Sequence, residues 1–165
     1  MVNVPYTLFG REEKTMSDIN ALATVNADDS ALAYSSMVAE TQQEKAELFN
    51  AISDPAHKLG DVINQVIYVR DVYVEMIELA RTDAAGNPVF DENGEPIMAI
   101  APRIVLIDKA GDTYQAIAAS VMNNLARLFK TFGEPTWSPA LPIEIKQRSI
   151  GTNRIYTFKV RADLM

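Results

Sequence analysis

The chain has 165 residues, no cysteine and one histidine, His57. Without thiols it has no disulfide, no thiolate metal site and no cysteine nucleophile. His57 stands just after Asp54-Pro55 with no metal-ligand spacing around it, and reads as an exposed residue at an element junction. Neither a GxxxxGK[ST] phosphate loop nor a GxGxxG turn occurs. The acidic stretch Asp91-Glu92-Asn93-Gly94-Glu95 resembles half a calcium loop but lacks oxygen ligands at the remaining alternate positions, so it reads as a solvated turn. No run approaches the ~20 apolar residues of a membrane helix. The opening MVNVPYTLFGREEK lacks the basic-then-apolar layout of a secretory leader. These absences lead to the expectation of a non-enzymatic cytoplasmic protein with no cofactor, no metal and no membrane partner.

What is present is a core and an uneven charge. At 48% hydrophobic and 22% charged residues, the composition suits one ordinary domain. The formal net charge of −7 opposes nucleic acid only if it is spread evenly. Residues 1–57 hold three basic and nine acidic side chains, whereas residues 100–165 hold nine basic and five acidic, a net of +4. The expected division is an acidic N-terminal arm with helices over 1–57 and a barrel-like domain over 58–165.

Along the chain, residues 1–16 read as an arm with a short strand at Val4 to Phe9. Residues 17–53 read as helical, with caps at Ser17-Asp18 and Asp28-Asp29-Ser30 and a partial apolar stripe ending in Leu48, Phe49 and Ile52. Asp54-Pro55 stops that helix. From Leu59 the β-branched residues take over. VINQVIYVRDVYVEMIEL is too long for a simple strand and should bend or bulge near Arg70-Asp71. Two Gly-containing turns follow in an elongated hairpin or a mobile loop, and RIVLI and TYQAI pair around Asp108 to Asp112. Residues 116–132 read as a helix with Ala118, Val121, Met122, Leu125, Leu128, Phe129 and Phe132 inward and Asn123, Asn124, Arg127, Lys130 and Thr131 outward. Gly133 and Pro135 end it. PIEIKQRSI and RIYTFKVRA form a last hairpin. Strand, strand, strand, helix, strand, strand is the order of an OB-fold, so the expected class is α+β, mostly β: a five-stranded OB-like barrel with a helix between strands three and four and an N-terminal helical extension.

Basic and aromatic residues mark a candidate surface. Strand alternation sets Lys146 and Arg148 opposite to Ile143 and Ile145, and Lys159 and Arg161 opposite to Tyr156, Phe158 and Val160. Lys146, Arg148, Lys159 and Arg161 should therefore share the outer face of the last hairpin, with Arg103, Arg154 and Tyr114 at its border. Like charges so placed cost stability unless an anion relieves them. Tyr68, Tyr73, Tyr114 and Trp137 are candidate stacking rings, although Trp137 could equally plug one end of the barrel. The pair Arg103 and Tyr114 suits a chain that is both charged and stacked.

The segments LFNAISDPAHKLGDVINQVIYVRDV, APRIVLIDKAGDTYQA, LARLFKTFGEPTW and LPIEIKQ resemble the single-stranded DNA-binding proteins of bacteriophages and mobile elements over residues 47–160. The resemblance implies an OB-type barrel that coats single-stranded DNA in replication or recombination, with no catalytic residue, and places Arg103, Tyr114 and Trp137 at the DNA. It implies replication or recombination proteins as further partners. Self-association through the N-terminal helical segment is also expected. The alternative is a non-enzymatic interaction or assembly module of a phage or mobile element.

Overall fold

The run beginning at Val66 is one strand of 15 residues, β3 (Val66–Ala80), and the rest of the fold is arranged along it. The computed structural model describes residues 32–151 and 153–165. The expected bulge is present. Pairing with β4 (Met98–Asp108) steps from Val69↔Asp108 to Asp71↔Ile107 and leaves Arg70 extra. An inserted residue reverses the in–out alternation. Ile67 and Val69 before the bulge therefore share the core face with Val72, Val74 and Met76 after it. Tyr68, Tyr73 and Glu75 fall on the other face.

The first residues of β3 pair with β6 (Leu141–Ile150), which pairs in turn with β7 (Asn153–Val160). Further along the same edge β3 takes β1 (Leu32–Ser35). On its other edge β4 is followed by β5 (Thr113–Ile117) and then by β2 (His57–Lys58), which runs parallel to β5. The result is a mostly-β α+β fold, a curled half-barrel whose seven strands among the described residues include two short additions, β1 and β2. From β3 onward the order is the expected strand, strand, strand, helix, strand, strand. The expected boundary between residues 57 and 58 falls inside β2.

The outer edge of β7 is met by a helix, α2 (Ala119–Phe132). Unpaired strand edges need partners for their N–H and C=O groups. Ser120 Oγ accepts from the N–H of Tyr156 at 3.0 Å. The Asn124 amide donates to the carbonyl of Tyr156 at 3.0 Å and accepts from the N–H of Phe158 at 3.1 Å. Asn124, expected on the solvent side of this helix, is buried at 7% exposure because it replaces a neighbouring strand. The apolar face is otherwise as expected from Val121 to Phe129, whereas Phe132 is exposed. Gly133, at φ 79°, closes the helix as expected.

The N-terminal expectations are corrected where they can be compared. Leu32–Ser35 is a strand, and α1 spans Gln42–Ser53 only. Thr41 and Glu44 form a reciprocal cap: Thr41 Oγ1 accepts from the N–H of Glu44, and the Glu44 carboxylate accepts from the N–H of Thr41. Residues 40–45, which fall well inside the 17–53 stretch read as helical, are thus a helix start, since a T-x-x-E box satisfies free N–H groups at an N-terminus. The strand at Val4–Phe9 and the caps at Ser17-Asp18 and Asp28-Asp29-Ser30 lie outside the described residues.

Three tight turns share one design. Asp83, Asp91 and Asp108 each accept, at Oδ1, the N–H groups two and four residues on, at 2.8–3.0 Å. Three residues after each Asp stands a glycine, at φ 86°, 78° and 90°, a region that side chains with a Cβ rarely adopt. Asp91 is therefore a turn-former in an exposed loop, consistent with the solvated turn expected there. Among the described residues, no cluster of three His, Cys, Asp or Glu could hold a metal ion and no helix is long and apolar enough to cross a membrane.

Candidate nucleic-acid interface

The hairpin β6–β7 presents one basic face. Its register pairs Glu144 with Lys159, Lys146 with Thr157 and Arg148 with Ile155, and the N–H of Arg161 bonds to the carbonyl of Pro142. Lys146, Arg148, Lys159 and Arg161 accordingly lie together on the outer side, as expected, while Ile143, Ile145, Tyr156, Phe158 and Val160 turn to the core. β3 extends this face, because Tyr68 pairs with Pro142 and Val66 with Glu144. Lys109, from the β4–β5 turn, sets its ammonium 4.1 Å from the centre of the Tyr68 ring. Five cations and one half-buried tyrosine thus share a continuous open surface.

Glu144 sits among them and neutralises part of the charge. Its carboxylate meets Lys146 at 2.8 Å and Arg161 at 3.5 Å, and Arg161 also holds Asp163 at 2.6 Å. The hydrogen bond from Lys146, with the charges of Lys146, Arg161 and Lys159, holds the Glu144 carboxyl below its ordinary value. A Lys146→Ala variant should move its titration back up toward that value. Carbon-13 NMR of the carboxyl would read the shift, and an unmoved titration would mean that Lys146 does not hold Glu144 in solution. Among the described residues, Arg148 and Lys159 close no salt bridge, which leaves them the most available cations.

The other candidate residues are placed elsewhere. Arg103 and Tyr114 lie on opposite faces, because Arg103 pairs with Ile117 whereas Tyr114 pairs with Leu106, an odd number of residues away along β4. Arg103 is tied down: Nη1 meets Glu75 at 3.1 Å, Nε donates to Gln115 at 3.2 Å, and Nη2 donates to the carbonyl of Ile52. It anchors α1 to the sheet. Tyr114 is buried in the core, stacked on His57 at 5.0 Å, with its hydroxyl donating to Asp108 at 3.2 Å. Burial first, and Asp108 next, push its pKa up to about 12.

Tyr73 is buried under Met37 and Ile52 with Val105 and Ile107, and donates to Glu75 at 2.9 Å. Trp137 is buried edge-on to Phe129, its indole N–H donating to the carbonyl of Gly133 at 3.0 Å. Of the two roles open to it, the structure gives it that of a plug. Arg154 pairs with Ser149 and so lies on the opposite side of the hairpin from Arg148. Tyr68 alone among the candidate rings joins the basic face. Lys109 belongs there too. Its position in a turn gave no alternation from which to place it.

No family model, curated protein or solved structure matches the chain.

Proposed function

We propose that this protein binds single-stranded nucleic acid, DNA in the first instance, along the outer face of β6, β7 and the start of β3. The observation that carries the reading is the grouping of Lys109, Lys146, Arg148, Lys159 and Arg161 around Tyr68 on one open sheet surface. Cations that track phosphates beside a ring that can stack on a base are the two elements of sequence-tolerant strand binding. The pairing of β4 with β3 and β5, of β3 with β6 and of β6 with β7, with a helix before β6, supports an OB-type barrel to which β1 and β2 are added. The proposed path differs from the strand-two and strand-three face expected of that fold. Met37 and Ile52 cover that side here.

Fluorescence anisotropy with a labelled oligothymidylate and a matched duplex, across salt concentrations, tests the reading. Neutralisation of about three to five phosphates gives log K against log salt a slope of about −2 to −3.5, with preference for the single strand. Removing two cations with Arg148→Ala and Lys159→Ala should flatten the slope by about one to two units and weaken binding roughly 10- to 30-fold at ~0.1 M salt. Thermal stability should hold, since like charges are relieved. A flat salt response, or equal affinity for duplex, overturns the proposal.

A second reading, a non-enzymatic interaction or assembly module, has its own support. Val38, 63% exposed, lines a cleft of about 490 Å³ with Leu48, Ala51, Arg70 and Asp71, and Phe49, on the same helix as Leu48, is 69% exposed. Exposed apolar side chains and an open cleft suit a protein partner.

A further inference from the structure

The long hairpin of β3 and β4 leaves the body of the protein as an acidic arm. From Glu78 to Met98 it carries Glu78, Asp83, Asp91, Glu92 and Glu95 against Arg81 alone, a net of −4, and all five carboxylates are exposed. Asp83 is held charged, its pKa lowered by the N–H groups of its own turn. The arm also exposes Leu79, Phe90 and Met98, at 38%, 55% and 47%. β5 stops pairing with β4 at Arg103, and β1 stops pairing with β3 at Glu75, so the backbone edges of the arm beyond these points have no neighbouring strand among the described residues. An edge with unpaired groups and exposed apolar side chains is a surface prepared for contact.

The basic face lies at the opposite end of the same strand. β6 joins β3 at Val66 to Val69, and the arm begins at Glu78, nine residues beyond Val69, roughly 30 Å away at ~3.3 Å per residue. Five cations there outnumber Glu144 and Asp163 by three. Two complementary surfaces held apart by a stiff ribbon cannot meet within one chain. They can meet between copies, and a contact of unlike surfaces leaves one of each free at the ends, so it propagates.

We propose that the acidic β3–β4 arm of one copy docks on the basic β3–β6–β7 face of a second copy, so that the protein associates head to tail. The carboxylates of the arm meet Arg148 and Lys159, and Phe90 supplies an apolar anchor. The contact goes beyond nucleic-acid binding and does not require it. Because it uses the same face, a bound strand and the arm compete.

Sedimentation velocity of the full chain without any nucleic acid tests it. At ~30 mM salt the weight-average mass should rise with concentration to roughly twice the 18.2 kDa of one chain or more, and at ~500 mM salt it should fall to one chain, because exposed charges are then screened. Arm reversal by Glu78→Lys, Glu92→Lys and Glu95→Lys, or face reversal by Arg148→Glu and Lys159→Glu, should each abolish the association. The two reversed proteins mixed in equal amounts should associate again, because the basic arm of one then meets the acidic face of the other. These positions are exposed, and circular dichroism verifies that each variant is folded. A wild-type chain that stays monomeric at low salt, single reversals that leave its association intact, or a mixture that stays dispersed would each overturn the proposal. Loss of strand binding with the association intact would instead count only against the nucleic-acid reading.

Discussion

Replacing Asp71 with alanine should lower stability by about 2–3 kcal/mol, the range for hydrogen bonds to a charged group in a largely buried site. Asp71 is 5% exposed and stands at the bulge, where three pieces of chain converge. Its Oδ1 accepts from the hydroxyl of Ser36, which follows β1, at 2.9 Å, and from the hydroxyl of Thr136, in the segment leading to β6. Its Oδ2 accepts from Arg70 Nε at 2.7 Å. Arg70 is 41% exposed and can turn to water, and Ser36 keeps its contact with the backbone of Val72. The loss therefore falls short of the full cost of breaking a buried ion pair. Asn at this position retains an acceptor for the hydroxyls but sets an amide N–H against Arg70, and should cost about 1 kcal/mol. Urea unfolding at neutral pH gives both numbers. If Asp71→Ala costs less than ~0.5 kcal/mol, the carboxylate is not the tie that its geometry indicates.

The sheet was legible where period two met a clear turn. The alternation of β6 and β7, with a glycine at their junction, places Lys146, Arg148, Lys159 and Arg161 on one side, because a half-buried hairpin leaves each residue one of two directions. Arg103 and Tyr114 show where alternation was not carried far enough. The turn pairs Asp108 with Asp112, and counting back from it sets Ile117 opposite Arg103 and Leu106 opposite Tyr114. The parity of that count already separates the two side chains. The Asp-x-x-Gly spacing of the three turns was also present in the chain, and it announces a carboxylate that caps its own turn. The strand β1 gave no comparable signal. LAYS is short, and its position depends on Tyr34 packing edge-on to Phe129 at 5.1 Å and on Ser36 bonding to Val72, contacts distant in sequence. Burial of Tyr73, Tyr114 and Trp137 depends likewise on what covers each ring, and composition does not carry that.

Asn124 should tolerate leucine less well than alanine, although leucine is the more apolar residue and favours a helix well. A solvent-facing helix position would be nearly indifferent to both changes. Here the side chain fills the place of a neighbouring strand, and its amide also donates to the carbonyl of Ser120 at 2.7 Å. Leucine would cover the N–H of Phe158 and the carbonyl of Tyr156 without bonding to either, and a buried group left unsatisfied costs ~1–3 kcal/mol. With two such groups, Asn124→Leu should cost about 2–5 kcal/mol. Alanine opens a space at the edge of α2 that water can enter to serve the same two groups, and should cost roughly half as much. Chemical denaturation ranks the variants. Hydrogen exchange adds a local reading: the amide of Phe158 should lose protection in Asn124→Ala, while that of Tyr156, held by Ser120 Oγ, and those of Thr157 and Lys159, which face β6, keep theirs. Leucine that proves neutral or stabilising would mean that α2 does not close the edge of β7, and that the half-barrel stands open on that side.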